Sequence, residues 1–184
     1  MNRMDQLGAN YRTHIQLPLG KRLPASQRVW FAVYPPEDER AIGKGVEEFE
    51  IATREAGKAW LRIDLRGQFA AWTSSVDEDE RAGWWRNPAA IDLYAKDEWK
   101  KLLAGYVREQ MATAAEPDRT VFALTGLVEL YDFLHVSELI EALEQSFPGF
   151  LLVLFPGVKE GNTYRFLDAR TGWNYLAVPI LAEK

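Results

Sequence analysis

Phe150-Leu151-Leu152-Val153-Leu154-Phe155-Pro156-Gly157 is an unbroken apolar run that ends in a proline–glycine pair. A run of this length with no polar alternation matches a strand covered on both faces, the pattern of central strands in a parallel sheet. The segment Gly161 to Ile180 follows and reads as two further strands joined at a turn carrying Gly172. Along Thr163 to Asp168 successive side chains point to opposite faces, so Arg165 and Leu167 oppose Tyr164, Phe166 and Asp168. Together these stretches predict a buried strand that leads into a C-terminal antiparallel β-hairpin.

Two upstream runs have the same character. Val29 to Tyr34 is continuously apolar between Arg28 and Pro35-Pro36, and Thr120 to Thr125 is followed by Gly126. Trp60 to Leu65 alternates instead, as a strand nearer the sheet edge would. Between the first two strands, prolines suit a helix start and Glu37, Asp38 and Glu39 complement its dipole. Ile42, Val46, Phe49 and Ala56 supply the buried stripe, and Gly57 a stop. Val29 to Leu65 therefore reads as a parallel strand–helix–strand unit.

Further helices are expected over Met4 to Gln16, Gly67 to Ser75, Asp97 to Ala115 and Ser137 to Phe147, the last with Ser137 as its N-cap. Asp77 to Glu80 reads as a solvated acidic loop, with Trp84-Trp85-Arg86 in an irregular middle segment. The expected fold is a single three-layer α/β domain over 1–184, with an N-terminal helix and loop (1–27) and a core (28–180). Its mixed sheet has parallel central strands, flanking helices and the C-terminal antiparallel β-hairpin.

The 184 residues are 47% hydrophobic and 27% charged, with a net charge of −5. That balance suits a globular domain and gives no general basic footprint for nucleic acid, so direct nucleic-acid binding is not expected. The absence of cysteine excludes disulfides, thiolate catalysis and cysteine-ligated metals. No apolar segment approaches the ~20 residues that span a bilayer, and no secretory h-region follows Met1, so a cytoplasmic protein without membrane contact is expected.

Catalytic signatures are missing. No G-x-x-x-x-G-K-[ST] or G-x-G-x-x-G follows a predicted strand, and Gly43-Lys44-Gly45 falls inside a helix. After Leu124 a single glycine precedes Leu127 to Tyr131, which is too bulky to wrap a phosphate with backbone amides. The two histidines, His14 and His135, lack partners at metal-ligand spacing, and no nucleophile elbow occurs. No cofactor and no metal are expected.

The hairpin carries the richest chemistry: Asp168, Arg170 and Asn174 cluster at its turn, with Arg165 on the approach. They read either as turn chemistry or as a ligand or partner site, with Asp168 and Asn174 as ligand-binding candidates. Trp84 and Trp85 read either as interface anchors or as a pair of which one is buried. Trp84, Trp85, Arg165 and Arg170 are the partner-binding candidates, and there is no catalytic candidate.

Arg28 to Arg40, RVWFAVYPPEDER, resembles the first strand and helix start of the BrxB family, a small component of BREX, the bacteriophage exclusion systems. Glu48 to Arg54 is similar to its continuation, as are Val136 to Ile140 and Phe155 to Ile180, whereas Ser74 to Asn87 matches least. The resemblance implies a role in defence against phage, beside a large ATPase, a DNA methyltransferase and PglZ, a member of the alkaline-phosphatase-like superfamily. The family has no established active site, so no catalytic residue carries over. The resulting expectation is a non-enzymatic adaptor that binds other BREX components, PglZ foremost. The alternative is a nucleotide- or nucleic-acid-handling enzyme with a degenerate site at the C-terminal ends of the strands.

Overall fold

The apolar runs become the centre of a sheet whose strands lie in the order Ala59–Asp64, Thr120–Thr125, Phe150–Glu160, Val29–Tyr34 and Val178–Leu181. The computed structural model describes residues 3–17, 23–131, 133–143, 147–167 and 173–182, and the backbone alone at 173 and 174. Its strands are β1 (Val29–Tyr34), β2 (Ala59–Asp64), β3 (Thr120–Thr125), β4 (Phe150–Glu160), β5 (Thr163–Phe166), β6 (Trp173–Asn174) and β7 (Val178–Leu181). The helices are α1 (Arg3–Ile15), α2 (Ala25–Arg28), α3 (Glu39–Glu55), α4 (Gln68–Ser75), α5 (Glu78–Arg86), α6 (Lys96–Met111) and α7 (Val136–Leu143). The fold is a three-layer α/β arrangement, as the sequence predicts.

Strands β1, β3 and β4 are parallel neighbours, and every residue of β1 and β3 is buried. Alternate side chains feed two cores. Trp30, Ala32, Tyr34, Leu152 and Leu154 face α1 and α3. Phe31, Val33, Phe122, Leu124, Leu151 and Val153 face α4, α5, α6 and α7. The N-terminal helix belongs to the first layer, with Leu7, Tyr11 and Ile15 fully buried. β2 lies at the sheet edge, consistent with its alternation.

The C-terminal part differs from the expected simple hairpin. β4 continues past Pro156 to Glu160, and its second half pairs antiparallel with β5. The second hairpin strand is only the short β6. The chain then places β7 parallel to β1, at the far sheet edge. Pairing Trp30 with Val178 and Ala32 with Ile180 closes the open side of β1. Pro179 stands exposed there, and an edge strand tolerates the missing N–H. Gly157 permits the switch of partner, because a Cβ there would meet the Arg165 carbonyl oxygen at 2.2 Å. The proposed turn at Gly172 lies outside the described residues.

Two further expectations are corrected. Asp77 to Glu80 is not a loop: Asp77 caps α5, its carboxylate accepting the Asp79 and Glu80 amides at 2.9 and 3.4 Å. The acidic residues thus sit in a first helical turn, where the dipole favours them. Ser137 does not begin α7, which starts at Val136; the Glu138 carboxylate accepts the His135 amide at 2.9 Å. Glu138 also pairs with Lys96 at 3.2 Å and ties α7 to α6. Among the described residues no helix is long and apolar enough to cross a membrane.

Phe122 and Leu152 are fully buried in opposite cores. Substituting either by Ala is expected to cost about 2–5 kcal/mol in chemical denaturation, because the rigid sheet cannot collapse into the cavity. A loss below about 1 kcal/mol at both positions would contradict a two-sided core.

Candidate functional site

Adjacent residues on a helix point about 100° apart, so one of a pair can face in while the other faces out. α5 separates Trp84 from Trp85 in this way. Trp84 is 4% exposed and packs against Trp72, with ring centroids 5.1 Å apart. It belongs to an aromatic cluster in which Trp72 stacks on Trp99 at 5.2 Å and Phe69 on Phe133 at 4.7 Å. Trp84 is therefore core and is corrected as an exposed anchor. Trp85 is 60% exposed. Beyond it, a π-helical turn over Ile91–Ala95 buries Ile91 and Ala95 but leaves Leu93 71% and Tyr94 84% exposed.

Arg165 pairs with Glu160 at 2.8 Å on the outer face of the β4–β5 ladder, while Tyr164 and Phe166 point inward. Burial pushes the Tyr164 phenol up to about 12. The buried Arg165 Nε has no acceptor among the described residues. Asp168 and Arg170 lie outside the described residues, as does the Asn174 side chain. Of the hairpin candidates only Arg165 has a described side chain, and its ion pair is with Glu160.

His14 is not a free surface residue. Its ring meets Trp30 edge-on at 4.7 Å, and burial lowers its pKa. His135 is exposed beside the start of α7. Among the described residues no three His, Asp or Glu side chains converge as a metal site.

A cleft opens at the C-terminal ends of the parallel strands, where the alternative reading of the sequence put a degenerate site, and none of its lining residues was a candidate. It has a volume of about 880 Å³ and lies between α3 and the tips of β1, β2, β3 and β4. On this face Val121 is core and the partly buried Trp60 packs against it, near the N-terminal ends of β3 and β2. Further along the same face stand Arg62, Asp64 and Thr125. Arg62 Nε donates to Thr125 Oγ1 at 3.2 Å. Arg66 Nε donates to both Asp64 carboxylate oxygens at 2.9 and 3.0 Å. Burial raises the Asp64 pKa, but the Arg66 hydrogen bonds and the Arg66 and Arg62 charges outweigh it and keep the carboxyl below its ordinary value.

On the opposite wall Tyr34 donates its hydroxyl to Glu39 Oε2 at 2.6 Å. Burial, then the Glu39 contact, push that phenol far above its ordinary pKa. Glu129 accepts the Phe69 amide at 3.2 Å. Arg40 and Lys44 also line the cleft, exposed and without a hydrogen-bond or ion-pair partner among the described residues. The available sequence signals were the polar residues ending β2 and the glycine ending β3. The cations on α3 become part of the site only through the fold.

No protein-family model, curated protein or solved structure matches this chain.

Two outcomes follow from this geometry. Gly126 has φ +75°, and a Cβ there would lie 2.7 Å from Asp64 Oδ1 and 2.9 Å from the Arg66 amide. Gly126→Ala should lower stability by more than about 1 kcal/mol in denaturant titration and disturb the Asp64–Arg66 pair. A neutral effect would show that this turn is not constrained.

The folded chain prefers neutral His14, so the unfolded chain takes up the proton first as pH falls below about 6.5. This contribution is therefore lost as pH drops from about 6.5 toward the lower folded value. His14→Phe should flatten that part of the stability curve between about pH 7 and pH 5. Equal slopes for the two proteins would contradict it.

Proposed function

We propose that the protein is a non-enzymatic adaptor of a BREX anti-phage assembly, acting by binding a co-encoded component, with PglZ the first partner to test. The observation that carries the binding role is the exposure of Trp85 on α5 and of Leu93 and Tyr94 on the π-helical turn that leads into α6. Covering apolar surface contributes about 25 cal/mol per Å², and interface energy concentrates in Trp, Tyr and Arg. A π-helical turn also recurs at functional positions, because its wider turn redirects side chains. The identity of the assembly rests on the resemblance of Arg28 to Arg40 and Phe155 to Ile180 to the BrxB family.

The resemblance is weakest over Ser74 to Asn87, so Trp85 is a contact of this chain rather than a family feature. Arg165, held by Glu160 at 2.8 Å and 38% exposed, belongs to a rim contact if it meets the partner. Exposed pairs of that kind contribute only about 0–1 kcal/mol and weaken as salt rises.

The test is association of the purified chain with each co-encoded component. Trp85→Ala and Tyr94→Ala should each weaken the complex by about 2 kcal/mol, roughly 30-fold, with unchanged circular dichroism. Arg165→Ala and Arg170→Ala should have smaller, salt-dependent effects. Wild-type affinity in folded Trp85 and Tyr94 variants would remove these anchors. Absence of association with every component, or metal-dependent ATP turnover lost on mutating a strand-end residue, would overturn the adaptor role.

A further inference from the structure

An acidic chain of net charge −5 places four cations, Arg40, Lys44, Arg62 and Arg66, around one cleft with two acidic lining residues, Glu39 and Glu129. The carboxylates are already engaged: Glu39 by the Tyr34 hydroxyl, Glu129 by the Phe69 amide. Asp64, just behind the lining, engages Arg66 and lies 3.6 Å from Arg62. Arg40 and Lys44 therefore carry the charge that no described side chain neutralises.

We propose that this cleft binds a nucleoside monophosphate, with Arg40 and Lys44 on its phosphate and the base against the apolar wall of α3 and Val128. This goes beyond the adaptor role and does not depend on it.

Three features select that ligand. The volume of about 880 Å³ falls within the range of small-molecule sites and exceeds what an isolated phosphate needs. The position, outside the carboxyl ends of parallel strands, is where open α/β sheets take ligands. The phosphate must be met by side chains rather than a backbone cradle, since Gly126 leads directly into the bulky 3-10 turn Leu127–Leu130. That favours a single phosphate over a triphosphate chain, which phosphate loops hold with successive amides.

The walls suit the rest of the molecule. Val128 is 47% exposed at the rim, and a Cβ at Gly43 would meet nothing within 4 Å, so a flat ring can approach α3 closely. Glu39 and Glu129 each keep acceptor capacity for ribose hydroxyls or an exocyclic amine. Nothing here requires turnover.

The experiment is calorimetry and thermal denaturation of the full chain with adenosine and guanosine 5′-monophosphates, adenosine, guanosine and inorganic phosphate. At least one monophosphate should bind saturably and raise the melting temperature, inorganic phosphate should compete weakly, and the nucleosides should give no shift. Arg40→Ala and Lys44→Ala, both at exposed positions, should each weaken binding at least about tenfold and leave the unliganded melting temperature unchanged.

No shift with either monophosphate at millimolar concentration would overturn the proposal, as would unchanged affinity in both variants. A single-stranded oligonucleotide that binds but is not displaced by either monophosphate would replace it with a nucleic-acid surface. Partner association that survives in both variants keeps the fate of this site separate from that of the adaptor role.

Discussion

β4 is held between β3 and β1, and its stretch from Phe150 to Gly157 is buried on both faces. That constraint organises the rest of the molecule. A strand with two apolar faces needs two covering layers, and each layer must bring an apolar helical stripe. α1 and α3 meet one face and α4 to α7 the other. Trp30, Phe31, Phe122 and Phe155 are among the largest fully buried side chains, each worth about 1.5–3 kcal/mol for its removal from water. The same strand also sets where the parallel sheet ends. At Pro156 its amide hydrogen is missing, and at Gly157 the absent Cβ lets the Arg165 backbone approach, so the chain turns to β5 for its next partner.

The elements legible in the sequence were those whose burial is symmetrical or strictly periodic. Val29 to Tyr34 and Thr120 to Thr125 have no polar interruption on either face, and α3 shows its stripe in Ile42, Val46 and Phe49. The segment from Asp77 to Arg86 was not legible as a helix. Its first turn consists of charged residues, and its buried side is represented by a single large side chain, Trp84. Periodicity fails when one residue carries a face. β7 was misplaced for another reason: Val178 to Leu181 is apolar enough for a strand, but its choice of β1 over the hairpin depends on an open edge elsewhere in the chain. Local pattern specifies that a strand exists, not which neighbour has a vacant ladder.

Sites follow the same division. Residue type drew attention to Trp84 and Trp85 equally, and only the helical rotation separates a core ring from an exposed one. The cleft was invisible to motif reading because its charged residues come from separated segments: Arg40 and Lys44 from α3, Arg62 from β2 and Arg66 from the loop beyond it. No short spacing links them. The exposed aromatic surface belongs to the layer of α4 to α7, whereas the cleft opens beneath α3 on the other face.

The alternation that marks β2 as an edge strand also produces the cleft. Ile63 points into one core, while Arg62 and Asp64 occupy the opposite face toward the strand's C-terminal end. A charge under a fully covering helix would carry a desolvation penalty that its pairing rarely recovers. Here Arg62 stays about a third exposed at 35%, with Asp64 at 32%, so both charged groups keep contact with water. The α3 layer stands off at this corner, and the resulting space is walled in part by Arg62 and Arg66, which hold the Asp64 carboxyl below its ordinary value. Gly126 locks the arrangement by passing the β3 chain closely behind Asp64 and Arg66. An open corner at the ends of the strands is thus the physical consequence of placing a charged edge strand beside a sheet whose centre is closed to water.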